Sequence, residues 1–478
     1  MPPPPPPPSF RRDKGDPSGS AAKSAIDKVR GTRPAPDSSV LDVTAAVTEA
    51  LDSSIAPDAR IAVALSGGMD SMILLDVLAQ VSSRRALRMS AVHVHHGLSS
   101  NADRWSGFCI EQCVSRGVPL TVHRLALVRK RGQSLEAVAR AGRYDHFMQC
   151  DVDAIALAHH ADDQAETVLL QLLRGSGPRG LAAMPAFRSG TPALLRPLLA
   201  LPRATLAAYA GARGLDWIED ESNLDTRHRR NFLRHEIATK LAGGFEGYPA
   251  TLVRAASRQA EASALLDELA AIDAGTAIDR VGLDRAHLCG LSDARAANLL
   301  RWFLRREGLR PPTEARLADM LRQLRSASGD ARTRIAHDGA EIGFHRGRVV
   351  VHAPTTAAFA VDWDGATEVR LPGGILEFEQ ADGEGIALAK LALGPVTLRS
   401  RDGGERIRLA SNRPRHAVKK LLQAANLAQW QRQALPLVWC GDELAAIPGV
   451  GVDIAFQAAA SEKGWQLRWS PNAREPAE

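Results

Sequence analysis

A chain of 478 residues, 45% hydrophobic and 24% charged, is long enough for two or three domains with full cores. Its net charge of +6 and pI near 9.2 admit an acidic partner without requiring one, since distribution matters more than the sum. Five cysteines without a CxxC pair argue against a disulfide framework, a zinc ribbon or an iron–sulfur site. No apolar run reaches bilayer-spanning length, so the expected setting is the cytoplasm.

The first stretch, "MPPPPPPPSFRRDKGDPSGS", lacks the apolar core of a secretory leader and reads as a disordered Pro-rich tail over 1–40. From about Leu41, strands and helices alternate. "RIAVAL" precedes a helix, and "MSAVHVHH" precedes another from Asn101 to Ser115. "PLTVHRL" leads to a helix from Ser134 to Gln149, and "DAIALAHH" to one from Asp162 to Leu173. This alternation predicts an α/β fold, a parallel sheet with helices on both faces. Ligands of such sheets bind beyond the carboxyl ends of the strands. Ser66–Ser71, His93–His96 and His159–Asp163 lie just past such ends and are expected to share one cleft.

Beyond Gly247 the texture changes. "TLVRAASRQAEASALLDELAAID" and "DARAANLLRWFLRREG" are helical, whereas "RVVVHA" and "GILEFEQ" read as strands. Near the end, Gly441-Asp442 between two apolar runs marks a hairpin. The expected organisation is an α/β domain over 41–245, a helical domain over 246–335, a β-rich connection over 336–390, a small α+β C-terminal domain over 391–470, and a tail over 471–478.

The most informative stretch is "IAVALSGGMDSMILLDVLAQ", residues 61–80. Ile61 to Leu65 form a short buried strand. After Gly68, Met69, Ile73, Leu74, Val77, Leu78 and Val81 recur at helical spacing. A strand therefore passes into a helix through Ser-Gly-Gly. The helix's first N–H groups lack partners, and glycine lets a bulky anion approach them. An ordinary tight turn is the alternative. "GSGPRG" (175–180) formally fits GxGxxG, but it follows a helix instead of a strand and Pro178 interrupts it, so a dinucleotide site is not expected there. His93, His95, His96, His159 and His160 are placed by packing or substrate contact more readily than by a metal.

"SGGMDS" resembles the pyrophosphatase loop (PP-loop) of the N-type ATP pyrophosphatases. Its companions are "HVHHGL" (93–98), "EAVARAGRY" (136–144), "LAHHADDQAET" (157–167), "LLRGSGPRGLAAM" (172–184), "RPLL" (196–199) and "WIEDESNLDTRHRRNFLR" (217–234). They stand in the order found in bacterial tRNA(Ile)-lysidine synthetases, and "RDGGERIR", "VKKLLQ" and "WQRQALPLV" resemble that family's C-terminal domain. The second motif departs from the family pattern, with His95 where Asn is usual and Ser99 where a basic residue is usual.

The resemblance implies an ATP-dependent ligase. It would adenylate O2 of the wobble cytidine in the CAU-anticodon isoleucine tRNA, then let free L-lysine attack C2, releasing AMP and pyrophosphate. A PP-loop tRNA thiolase and a noncatalytic tRNA-binding protein are the alternatives. Under this resemblance Ser66, Gly67, Gly68, Met69, Asp70 and Ser71 cradle the nucleotide, and Asp70 is the magnesium-linked carboxylate. Reaching neutral lysine at pH 7 costs roughly 4–5 kcal/mol, so a carboxylate that binds the ammonium and then accepts its proton suits the task. Asp163 and Glu166, three residues apart on one helix face, are expected to hold lysine, with Asp163 as base. Arg140 is expected on a phosphate or the developing charge. The tRNA is expected at Arg230 and Arg234, in "RHRRNFLRHE", and at Arg415, Lys419 and Lys420, in "RPRHAVKK". The helical and C-terminal domains would bind that tRNA, no membrane is involved, and a homodimer is left open.

Overall fold

The computed structural model describes residues 38–471 apart from Leu98, Ser100, 126–134, 222–224, 328–333 and 355–356. The proline tail and residues 472–478 lie outside the described residues. The chain forms two compact units, 1–257 and 258–478.

The first unit begins with α1 (Ser38–Ser54), β1 (Arg60–Ala64), α2 (Met69–Ser82), β2 (Arg88–His95), α3 (Ala102–Val114) and β3 (Leu120–Arg124). It continues through α4 (Leu135–Met148), β4 (Ala154–Ala156), α5 (Ala161–Leu172), the short α6 (Pro178–Leu181), β5 (Phe187–Arg188), β6 (Ala193–Leu195) and α7 (Arg203–Arg213). The sheet order is β3-β2-β1-β4-β6-β5, parallel except for edge strand β5. Successive side chains on a strand point to opposite faces. Ile61 and Val63, with Leu65 just past the strand, accordingly join one core with Val43, Val47, Ile73, Leu74 and Tyr209 of α1, α2 and α7. Ala62, Val92, Val94 and Ile155 join the opposite core with Phe147. Helices therefore cover both faces, and β1 is apolar from Ile61 to Ala64 because that part has no solvent side, Arg60 standing at its partly exposed start.

The chain moves outward from β1 to β3 and then returns to place β4 on the other side of β1. Between β1 and β4 the connections diverge and open a crevice at the strands' carboxyl ends. The turn after β1 and residues 157–160 after β4 both end there. Arg229–Phe232, a π-helical turn Leu233–Ile237 and Ala238–Gly244 follow in this unit.

In the second unit, helices Arg285–Gly290, Asp293–Arg306 and Glu314–Ser326 pack on a four-stranded antiparallel sheet. Leu299, Leu300, Phe303, Leu317, Leu324, Ile342 and Val349 are its core. The helical stretch and the strands after it thus close over one interior. Further on, Gly374–Asp382 pairs along its length with Lys463–Pro471, and the expected hairpin at Gly441-Asp442 joins Leu437–Cys440 to Glu443–Ile447. No helix among the described residues is long and apolar enough to cross a membrane.

Candidate active site

The turn after β1 is held open by its own hydroxyls. Ser71 Oγ donates to Gly68 O at 2.9 Å and lies 3.1 Å from Ser66 Oγ, while Gly68 N–H donates to Ser66 Oγ at 3.3 Å. Gly67 adopts φ +86°, and a Cβ there would lie 2.8 Å from Ile218 Cδ1 and 3.2 Å from Cys109 Sγ. Gly67 is therefore required by backbone shape and by packing behind the loop. Its carbonyl accepts from Ile218 N–H at 2.9 Å, which fastens the loop to the segment after α7. Gly68 caps α2 with no side-chain bond, leaving the first-turn N–H groups uncapped at the end of the helix that follows β1.

Asp70 stands on the first turn of α2. Its Oδ1 is buried without a hydrogen-bond partner, and its Oδ2 lies 3.6 Å from His160 Nε2. The same Nε2 is 3.5 Å from Asp163 Oδ2, so one imidazole spans the loop after β1 and the start of α5. His160 is 2% exposed and is also the N-cap of α5, its N–H donating to Asp163 Oδ2 at 3.2 Å. Burial opposes its charge, but the carboxylates of Asp162, Asp70 and Asp163 outweigh burial and push its pKa up to about 10. The imidazolium therefore stabilises the fold fully below the unfolded pKa of about 6.5. That contribution fades as pH rises through about 10. Chemical denaturation between pH 6.5 and 10 is expected to show falling stability, with a shallower fall in His160→Gln.

Asp163 and Glu166 share one face of α5, as expected from their spacing, and both are buried. The structure places Arg230 and Arg234 against them. Arg230 Nε donates to Glu166 Oε2 at 2.7 Å and its Nη2 to Asp163 Oδ1 at 3.0 Å. Arg234 Nε donates to Glu166 Oε1 at 2.6 Å and its Nη2 to Asp163 Oδ1 at 3.0 Å. Arg230 precedes and Arg234 lies within the π-helical turn Leu233–Ile237, a geometry that four-residue periodicity does not predict. Burial opposes the charge on Asp163, yet His160 and Arg230 hold its carboxyl below the usual range. In this arrangement it is an anchor for cations and a weak base.

Arg140, on α4, lies 5.5 Å from the Tyr144 ring centre. Arg143 donates to His96 Nε2 at 3.2 Å, and burial followed by Arg143 lowers the His96 pKa to about 4. His93 Nδ1 donates to Leu65 O at 2.8 Å, while His95 Nε2 is 3.3 Å from Asp103 Oδ1. No three His, Cys, Asp or Glu side chains converge to hold a metal among the described residues.

The site residues that sequence reading missed are His160 as bridge and Ile218 as backstop. His160 had a signal, a histidine immediately before an acidic helix start. Ile218 had only its place in "WIEDESNLDTRHRRNFLR", which does not say that its partner is a distant backbone carbonyl. In the second unit Lys419 and Lys420 are exposed on helix Val418–Ala424, and Arg415 is exposed just before it. None of the three is in an ion pair among the described residues. Arg406 and Arg408 instead bond backbone carbonyls of Arg415 and Arg413, which fixes the loop beneath these cations. Trp430 stacks on His352 with ring centres 4.0 Å apart, so that face of the indole is covered.

A PP-loop domain family matches residues 41–241, which makes this an ATP-utilising enzyme of the PP-loop class. A TilS substrate binding domain matches 283–350 and a TilS substrate C-terminal domain matches 396–469. The chain is 42% identical to the tRNA(Ile)-lysidine synthase of Nitrosomonas europaea (strain ATCC 19718) over 441 residues, covering 90% of this chain and 96% of that one. It is 41% identical to that of Azoarcus sp. (strain BH72), covering 87% and 93% respectively. The chain belongs to the tRNA(Ile)-lysidine synthase family, whose members are tRNA-modifying ligases. Among solved structures, the U34-tRNA thiolase NcsA from Methanococcus maripaludis is similar at 17% identity and a TM-score of 0.39, over 47% of this chain and 80% of that one.

Proposed function

We propose that this enzyme joins free L-lysine to C2 of the wobble cytidine of a CAU-anticodon isoleucine tRNA, through an adenylated cytidine, with release of AMP and pyrophosphate. The observation that carries this reading is His160 bridging a phosphate-type turn on one side and a paired acid cluster on the other. A carbonyl oxygen leaves poorly and AMP leaves well, so adenylation must precede attack by the amine. The amides after Gly68 and the hydroxyls of Ser66 and Ser71 hold the nucleotide phosphates, and Met69 packs beneath them. Asp70 offers a lone buried oxygen, and one carboxylate with nucleotide phosphates is a donor set that suits magnesium. Such an ion would be held by Asp70 and would neutralise phosphoryl oxygens.

Asp163 and Glu166 bind the lysine side-chain ammonium in exchange for the guanidiniums of Arg230 and Arg234. The freed arginines then face RNA phosphates. Loss of those cations raises the basicity of Asp163, which becomes competent to accept the amine proton. Arg140 contacts a phosphate, for which its guanidinium fork is suited. Arg415, Lys419 and Lys420 hold the tRNA backbone, being exposed and in no ion pair among the described residues.

Pyrophosphate release with the CAU-anticodon isoleucine tRNA and each amino acid in turn tests the reading. Sustained, multiple-turnover release that depends on lysine is expected, the first adenylation needing only ATP and tRNA. Release that needs a sulfur donor identifies a thiolase, and no release identifies a binding protein. Lys419→Ala combined with Lys420→Ala is expected to weaken tRNA binding and reduce the slope of log affinity against log salt by about 2. An unchanged slope would remove this face from the RNA-binding surface.

A further inference from the structure

At the carboxyl end of β6, next to β4 in the sheet, the chain buries an arginine that is in no ion pair with a carboxylate among the described residues. Arg196 is 5% exposed. Its Nη1 donates to Pro185 O at 2.8 Å, while its Nε is buried without a hydrogen-bond partner. The Tyr144 hydroxyl stands beside it, and the same ring has the Arg140 guanidinium 5.5 Å from its centre. The charged groups around Arg196 include Arg188 and Arg140, which repel it, and Arg143 adjoins Arg140. Among the described residues, none of Arg140, Arg143, Arg188 and Arg196 is in an ion pair with a carboxylate.

A buried guanidinium without a counter-charge is costly, and replacing a buried charge with an apolar group of similar volume is often neutral or stabilising. The bond to Pro185 O fastens the chain there but leaves Nε unsatisfied and the charge uncompensated. An anion entering the cleft would meet both. We propose that Arg196, with Arg140 across the Tyr144 ring, binds a phosphoryl group of a substrate, either of ATP or of the RNA backbone beside the modified base. The guanidinium forks suit the geometry of phosphoryl oxygens. His159 is influenced both by Arg196 and Arg140 and by Asp163. This assignment rests on the ATP-dependent RNA modification proposed above.

The full-length wild type, Arg196→Met and Arg196→Lys are compared by melting temperature and by calorimetric titration with ATP, inorganic pyrophosphate and an anticodon stem-loop RNA. Arg196→Met is expected to melt within about 2 °C of the wild type or above it, having lost an uncompensated buried charge. It is expected to bind one ligand class about tenfold or more weakly. Weaker binding of ATP and pyrophosphate places the nucleotide at Arg196, and weaker binding of RNA places the backbone there. Arg196→Lys keeps the charge without the fork and is expected to recover only part of the affinity. Wild-type affinity for all three ligands in Arg196→Met overturns the proposal, whatever its melting temperature. If Arg196→Met does not fold, Arg196→Lys decides: weakened binding supports the site and unchanged binding overturns it. A wild-type enzyme that releases no pyrophosphate with tRNA and lysine counts against the proposed reaction, whereas an active wild type with an indifferent Arg196→Met counts against this site alone.

Discussion

Asp70→Ala is expected to lower ATP-dependent pyrophosphate release by about a hundredfold or more, the loss typical of removing one preorganised electrostatic partner. Two effects act together. The variant removes the lone buried Oδ1 proposed to hold the nucleotide's metal, and it takes away one of the acids that keep His160 charged. Asp70→Asn separates the two from simple loss of volume, because it retains shape and removes charge. Both variants are expected to melt as cooperatively as the wild type, since Asp70 is only partly buried. Rapid-quench measurement of the first turnover, with labelled ATP and tRNA in the absence of lysine, checks the point. Unimpaired adenylation in Asp70→Asn would sink the assignment.

Glu166→Ala is expected to raise the lysine KM by tenfold or more while leaving the ATP KM near its wild-type value, because charge-assisted bonds to an ammonium contribute about 1.5–3 kcal/mol. It also carries a structural effect. Arg230 and Arg234 lose three bonds to Glu166 and retain only Asp163. Stranding partly buried guanidiniums costs about 1–3 kcal/mol once their solvent access is allowed for. Lower stability and a higher lysine KM together are the expected result. The double variant Glu166→Gln with Arg234→Gln distinguishes the two origins. It restores charge balance and is expected to recover melting temperature without recovering lysine affinity. A wild-type lysine KM in Glu166→Ala would rule out its proposed role.

The strand–helix order of the first unit was legible because β1 and β2 carry a buried-strand pattern and α2 carries a helical one, each under strong local preference. The strand-to-helix turn was equally legible, since Ser-Gly-Gly stands between those two patterns, whereas the local pattern alone did not separate a nucleotide turn from an ordinary tight one. Asp163 and Glu166 were visible as a pair through their spacing alone. Their counter-ions were not. Arg230 and Arg234 sit in a basic run that reads locally as a solvated or RNA-facing surface, and only the tertiary fold brings them onto α5. Arg196 was hidden for a similar reason, because nothing in "RPLL" says that its guanidinium is buried outside any ion pair among the described residues. His160 shows the same limit in another form: its role depends on Asp70, whose helix is separated from it by most of the sheet's chain. Periodicity finds faces, whereas charge balance is a property of the assembled cleft.

The hold of Ile218 on Gly67 has a consequence for synthesis of the protein. A nascent chain that has emerged only as far as α7 has every strand of its sheet and the glycine turn itself, but not the residue that backs that turn. If nucleotide binds at this turn as proposed, such a chain is expected to capture it poorly until Ile218 clears the ribosome.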